Sequence, residues 1–226
     1  MDGSVKFILS TDAGNSSLRL SGDDYKYVIK VRRHVVGDSI AFRNRLNLKI
    51  EYRYVLESID GRDATFILKG QTEAPCESAK KLHIGWCIID PKTVEKVLPM
   101  LTEMGVSKIT FIQCHRSQRN FRFDFERFER IMESSIMQCG RTSLIEFNES
   151  PSLHEFLKAH PQSTILDFGG EELKKSEEYE TVVIGCEGGF HESERVLFKN
   201  HRVRHFSSPM ILRSESAAVA VAALHL

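Results

Sequence analysis

The stretch whose reading decides the fold is Thr181–Leu224, TVVIGCEGGFHESERVLFKNHRVRHFSSPMILRSESAAVAVAAL. It opens on a β-branched apolar run, Thr181–Ile184, the pattern of a buried strand. A glycine loop, Gly185–Phe190, follows and leads into a helix. A second short strand, Arg202–Phe206, runs into the loop SSPMILR, and an alanine-rich helix is predicted over Ser214–Leu224. Strands that meet loops and then helices build parallel sheets, whose ligands sit at the strand C-termini. Gly188 and Gly189 carry no side chain, so backbone N–H groups of that loop can come close to a ligand. Two such loops, one strand–helix unit apart, point to a site built from both.

Outside this stretch, composition excludes more than it assigns. The chain's 226 residues allow one large or two small domains. Its 31 Lys/Arg and 31 Asp/Glu cancel, so net charge makes no case for a polyanion partner. The balance is uneven locally: residues 1–70 hold 12 basic side chains against 9 acidic ones, and Glu171–Glu180 is acidic. Cys76, Cys87, Cys114, Cys139 and Cys186 lack the spacing of a zinc site, so no metal is expected. They read as free thiols in a reducing cytoplasm. The opening MDGSVKFILS is no signal peptide, and Ala217–Leu224 is too short to cross a bilayer. The expectation is a soluble cytoplasmic protein with no membrane contact.

Residues 1–70 read as all-β, with strands at Lys6–Leu9, Tyr25–Val31, Ser39–Arg43, Lys49–Ser58 and Ala64–Lys69. Short strands at this spacing suggest a small barrel. Lys30–His34 is strongly basic and is either an exposed strand end or an edge that meets phosphates. Residues 71–81, QTEAPCESAKK, are polar and form the predicted linker.

From residue 82 to 226 strands alternate with helices, the rhythm of a mostly parallel sheet covered on both faces. Strand Leu82–Ile89 meets Asp90-Pro91, an N-cap followed by proline at the first helical position. Val94, Val97, Leu98, Leu101 and Met104 make that helix's apolar stripe, Gly105 ends it, and Pro99 is expected to kink or shorten it. Strand Lys108–Gln113, helix Asp124–Cys139, a helix capped at Ser150-Pro151 and strand Ser163–Phe168 complete the order.

No GxGxxG and no Walker lysine is present, so neither dinucleotide nor P-loop phosphate chemistry is supported. Cys186 in a glycine-rich turn and the pair Cys114-His115 raise nucleophilic catalysis. Neighbours in sequence point apart, however, so a cysteine hydrolase is the lesser reading.

Several segments resemble one family. EGGF with a following glutamate (Glu187–Phe190, Glu194) and ILRSESA (Ile211–Ala217) are similar to the GPEGGF…E and ILRxETA motifs of RsmE-type 16S ribosomal RNA uracil-N3 methyltransferases, members of the SPOUT superfamily. TEMGVSKI (Thr102–Ile109) resembles TELGV, HRSQR (His115–Arg119) resembles TxRS, and QCGR (Gln138–Arg141) resembles QSxR. In the first domain RxxxGDxI (Arg33–Ile40) resembles LRxxxGDxI. The matches fall in order across nearly the whole chain.

The resemblance implies an α/β protein: a PUA-like β-barrel, then a SPOUT methyltransferase domain with a C-terminal trefoil knot. It implies a homodimer that binds S-adenosylmethionine and methylates N3 of one uridine in 16S rRNA, free or in the small ribosomal subunit. Ile184, Gly185, Cys186, Glu187, Gly188, Gly189 and Phe190 would then hold the cofactor, with Ser207, Ser208, Pro209, Met210, Ile211 and Leu212 from the second loop. Arg32, Arg33, Arg116, Arg119 and Arg141 would contact RNA. Uracil N3 must lose a proton, so a charge stabiliser and a proton acceptor are needed. Arg213 is the candidate for the first role; Glu187 or Glu215 for the second, or for orienting Arg213. An Arg213–Glu215 ion pair that only caps the last helix is the structural alternative. Departures from the family pattern are Cys186 for proline, Ser207-Ser208 for Leu-Gly, Met100 for lysine, Met210 for arginine and Ser216 for threonine. They motivate a second reading, a catalytically weakened RNA-binding protein on the same fold; a third keeps the enzyme with another RNA target.

Overall fold

The structure, a computed structural model, describes residues 6–118, 120–175 and 177–226. The chain divides into two compact units. One runs to Glu77 and also takes Ile136–Ser143; the other holds Ser78–Ser135 and Leu144–Leu226. The expected linker at 71–81 begins inside a strand, because Gln71 to Glu73 pair with Tyr52 to Ile50.

The first unit contains β1 (Ile8–Leu9), β2 (Ser17–Leu20), α1 (Gly22–Tyr25), β3 (Ser39–Asn44), β4 (Asn47–Asp60) and β5 (Asp63–Glu73). Its sheet has the order β1-β3-β4-β5-β2, antiparallel except for β1 with β3. Register shifts at Arg43/Asn44, Arg53/Tyr54 and Leu56/Ser58 bend the long strands and curl the sheet. Phe42 packs edge-on against Tyr54 and Phe66, each at 5.3 Å, in a core of its own. The buried Tyr54 hydroxyl donates to Asn15 O at 2.6 Å and accepts from the Gly14 N–H at 3.0 Å, so its polar atom is satisfied.

The strand expected at Tyr25–Val31 is helical instead. α1 continues into a π-helical turn over Lys26–Val31. The buried residues Tyr25, Val28 and Ile29 lie at i, i+3 and i+4, so one helical face meets the core. That stripe outweighs the β-branched composition that suggested a strand. β2, Ser-Leu-Arg-Leu, was not anticipated; two alternating apolar residues give too short a periodic signal.

The second unit contains β6 (Leu82–Cys87), α2 (Pro91–Glu103), β7 (Val106–Ile112), α3 (Phe125–Cys139, whose last turn clusters with the first unit), β8 (Glu146–Ser150), α4 (Leu153–Ala159), β9 (Thr164–Glu172), β10 (Thr181–Ile184), α5 (Glu192–Arg195), β11 (Arg202–His205) and α6 (Ser214–His225). All six strands are parallel, in the order β11-β9-β10-β6-β7-β8. β10 lies between β9 and β6, which is why it is apolar on both faces. Trp86 and Phe111 face α6 and α3, through Ser214 and Phe128; His83 faces α4 through Phe156. Helices therefore cover both faces.

Asp90 caps α2 by accepting from the Lys92 N–H at 3.1 Å, and the helix runs through Pro99 to Glu103 without ending there. Ser152, not Ser150, caps α4, accepting from the Glu155 N–H at 3.2 Å. Ser150 instead ends β8, an edge strand too polar to be read from sequence. The free-thiol expectation is corrected for two cysteines. Cys87 and Cys114 form a disulfide, with Cα atoms 5.7 Å apart. Ile112 pairs with Cys87 across neighbouring parallel strands, and Cys114 follows two residues on. A separation of 27 residues hid that adjacency. Cys76 and Cys186 remain free thiols.

His83 is 9% exposed, with Nε2 2.8 Å from Thr110 Oγ1. Burial, then the His160 ring and Lys108, push its pKa down to about 4, against a small opposing pull from Glu146. The unfolded chain takes up a proton near pH 6.5 that the folded chain refuses. Stability contributed by neutral His83 is thus complete above pH 6.5 and falls away between pH 6.5 and 4. The expected result in urea titrations at pH 7 and pH 4.5 is a smaller acid loss for His83→Gln than for the wild-type chain. Equal losses would remove His83 as the cause. Among the described residues no helix is long and apolar enough to cross a membrane, and no cluster of three metal-ligating side chains occurs.

Candidate functional site

The C-terminal ends of β10 and β11 and the middle of β9 border a cleft of about 530 Å³. Most of its wall comes from three segments. The glycine loop gives Ile184 to Phe190. The loop after β11 gives Phe206, Ser208 and Met210 to Ser214. The middle of β9 gives Leu166, Asp167 and Phe168. Among the residues assigned to a cofactor from sequence, only Ser207 and Pro209 are absent from this wall.

Local geometry explains the glycines. Gly189 has φ of +66°, and its N–H closes a turn onto Cys186 O at 2.9 Å. At Gly188 an added Cβ would stand 3.2 Å from Arg116 Cδ. Arg116 lies along this loop and donates to Gly188 O. Arg116, singled out from sequence for RNA, is therefore part of the cleft wall.

Two further ties were not anticipated. The Trp86 indole N–H donates to Ser214 Oγ at 2.8 Å, and that hydroxyl donates to Gly185 O. Trp86 and Ser214 are both buried, so the relay joins the start of α6 to the glycine loop through the core. At the other lip Arg195 makes a two-pronged ion pair with Asp167, at 2.7 and 3.1 Å. Asp167 ends the run TILD, so the rule that ligands gather at strand ends was the available signal.

Between Val203 and Arg204 the β9–β11 register jumps from Ile165 to Glu171. Residues 166–170 thus arch out of that ladder and carry Phe168, 67% exposed, to the rim of the cleft. Gly170 permits the return, since a Cβ there would stand 2.2 Å from Val203 O.

Arg213 is exposed, lines the cleft and occupies the N-cap position of α6. No ion pair joins it to Glu215 or Glu187 among the described residues, and its side chain makes no capping hydrogen bond. Glu187 is exposed in the cleft wall; Glu215 is half-buried and outside it. Burial raises the pKa of the Cys186 thiol, and Cys114 is consumed in the disulfide. Neither suits a nucleophile, which needs a lowered pKa.

The remaining basic candidates divide. Arg32 is half-buried, its guanidinium 3.0 Å from the Tyr27 hydroxyl and 5.3 Å from that ring. Arg33 is exposed and has φ of +61°, a left-handed backbone that a non-glycine residue rarely adopts. Arg141 is 8% exposed, with Nε 3.1 Å from Ser143 Oγ. Burial lowers its pKa. Arg119 lies outside the described residues.

The family model for an RNA methyltransferase domain matches residues 76–226. Two Helicobacter pylori proteins, from strains 26695 and J99, are each named ribosomal RNA small subunit methyltransferase E. Each is 36% identical to this chain over 224 residues, covering 97% of it and 99% of the relative. The chain belongs to the ribosomal RNA small subunit methyltransferase E family. A methyltransferase E structure from Neisseria gonorrhoeae with bound S-adenosylmethionine has the same fold, with a TM-score of 0.74 and 17% identity, over 97% of this chain and 96% of that one. Lpg2936 from Legionella pneumophila, solved with the same cofactor, gives 0.76 and 22%, over 98% and 97%.

As a methyltransferase E family member the chain accommodates Ser208, where the family pattern has glycine, without a left-handed backbone there. Arg33 is the one non-glycine residue with positive φ among those described, so Ser208 is not forced into the left-handed region. Its hydroxyl accepts from the Met210 N–H at 3.1 Å, a bond glycine cannot make. Met210 and Ile211 are 72% and 78% exposed.

Proposed function

We propose that the protein transfers a methyl group from S-adenosylmethionine to N3 of one uridine in 16S ribosomal RNA. The observation that carries this is the backbone-lined cleft where β10 and β11 end beside the middle of β9, in a chain of this family. The residues present fit the cofactor. A volume of about 530 Å³ lies in the range of small-molecule sites, and the walls mix apolar side chains with backbone groups of a glycine loop. Leu166, Ile184, Phe206 and Leu212 suit a flat purine. When bound, S-adenosylmethionine supplies an electrophilic methyl group and a good leaving group.

The chain's own work is then positioning and charge management. Arg213 stabilises the negative charge that spreads to the uracil carbonyl oxygens as N3 loses its proton. Glu187, in the cleft wall, accepts that proton; Glu215 is set further back. The N3–carbon bond forms as the sulfur–carbon bond breaks, and the proton leaves on the carboxylate.

The curled sheet of the first unit acts in this reading as a PUA-like RNA-binding domain, and the second as a SPOUT domain with a trefoil knot. Arg33 supports the first assignment, because a strained exposed cation is more common at functional positions. Replacing Arg32 and Arg33 together by alanine is expected to weaken RNA binding. It should also make the log–log salt dependence shallower by about 0.7 per lost phosphate contact. An unchanged slope would take this segment out of the RNA site.

The deciding experiment pairs calorimetric titration with S-adenosylmethionine and nucleoside mass spectrometry of 16S rRNA from cells with and without the gene. Protein for the titration is expected to run as two chains in light scattering. Binding, with loss of one N3-methyluridine on deletion, establishes the proposal. Binding with that nucleoside intact moves the methyl group to another RNA position, and no binding overturns the enzyme.

A further inference from the structure

One piece of the glycine-loop motif has no part in the chemistry above: the glutamate that follows EGGF. Glu194 is 8% exposed. Its two carboxylate oxygens reach two different loops. Oε1 accepts from the His115 N–H at 2.8 Å, in the turn after β7. Oε2 accepts from the His191 N–H at 2.9 Å, at the end of the glycine loop. The His115 and His191 rings stack face to face above these bonds, with centroids 4.0 Å apart and planes 17° from parallel. The next residue, Arg116, makes the contact with Gly188 O.

We infer that Glu194 is a positioning residue, which locks the His115–Arg116 turn onto the glycine loop so that Arg116 and Gly188 form one rigid wall of the cleft. A nearly buried carboxylate needs at least as many donors as it loses from water. Here both donors are backbone amides, on segments 76 residues apart in sequence, and both bonds are charge-assisted. Half of this arrangement is ordinary helix capping, since His191 and Glu194 form a capping box at the start of α5. Capping accounts for the His191 bond. It does not account for the second oxygen's reach to His115, and that bond ties the two loops together. Removing the carboxylate would free Arg116 to leave Gly188 while the fold persists, because Trp86 and Ser214 hold the other side of the loop from the core.

This inference rests on the cofactor reading only for its last step, and the test separates the two. Amide hydrogen exchange is first measured on the ligand-free protein. The amides of His115 and His191 are expected to exchange slowly in the wild-type chain. In Glu194→Gln, which keeps one acceptor oxygen, at least one of the two is expected to exchange about tenfold faster or more. Glu194→Asp, too short to reach both loops, serves as the second variant if the first does not fold. Next, S-adenosylmethionine affinity is titrated for Glu194→Gln, Arg116→Ala and the double variant. Each single change is expected to raise Kd about tenfold, and the double variant to be no worse than Arg116→Ala alone. Faster exchange with unchanged Kd, or additive losses in the double variant, would make Glu194 a helix cap only. Unchanged exchange would overturn the clamp itself. No binding by the wild-type chain would instead overturn the cofactor reading, leaving the exchange result to stand.

Discussion

Arg213→Ala is expected to slow methyl transfer by about 10²-fold or more, while the dissociation constant for S-adenosylmethionine changes little. Three features of this residue lead there. It sits on the cleft wall, its side chain is exposed, and it has no carboxylate partner among the described residues. A cation held without a partner beside a cleft is available to charge that appears during the reaction. Its removal should therefore act on the transition state more than on the ground state. Single-turnover rates at saturating RNA, with titration of the cofactor in parallel, separate the two effects. Equal loss of rate and affinity would make Arg213 part of the cofactor's seat. A retained rate would move the charge stabiliser elsewhere.

Trp86→Ala is expected to destabilise the protein by about 3–5 kcal/mol, the cost of emptying a large core position. Trp86 is fully buried in β6, stacked near Phe111 and bonded to Ser214. Two milder variants divide the effect. Trp86→Phe keeps most of the bulk and removes the donor. Ser214→Ala keeps the indole but orphans its N–H, which costs about 1–3 kcal/mol in a buried site. Urea denaturation of all three is expected to rank alanine at 86 as the most damaging. Ser214→Ala should also weaken cofactor binding, because it releases Gly185 O from the Ser214 hydroxyl, whereas Trp86→Phe leaves that bond in place. A Ser214→Ala protein of wild-type stability and affinity would count against the relay.

The second unit was legible because each signal there had a single physical meaning. Asp90-Pro91 reads as a helix start, and Thr181–Ile184 has no polar residue beyond its first position, so it had to be central. The glycine loop and the ILR loop meet at one cleft because parallel strands deliver their ends to one side. The first unit was harder. Tyr25–Val31 carries strand-like residues at helix-like spacing, and the spacing prevailed once a sheet offered a face to pack on. β2 and β8 are short or polar edge strands, whose existence depends on the partner strand more than on their own residues. The site contacts that escaped notice share one property: they span long sequence separations. Ser214 meets Trp86 over 128 positions, Glu194 meets His115 over 79, and Asp167 meets Arg195 over 28. Local pattern carries no trace of such pairs. The same reason hid the bond between Cys87 and Cys114.

The relay through Ser214 has a practical side. Trp86 is the chain's only tryptophan, and one serine hydroxyl separates its indole from a carbonyl of the glycine loop. Indole emission responds to the strength of the hydrogen bond its N–H makes. The protein therefore carries a native fluorophore wired to its own cleft. A ligand that alters this bonding at the glycine loop is expected to shift the emission, with no dye, no label and no second tryptophan to subtract.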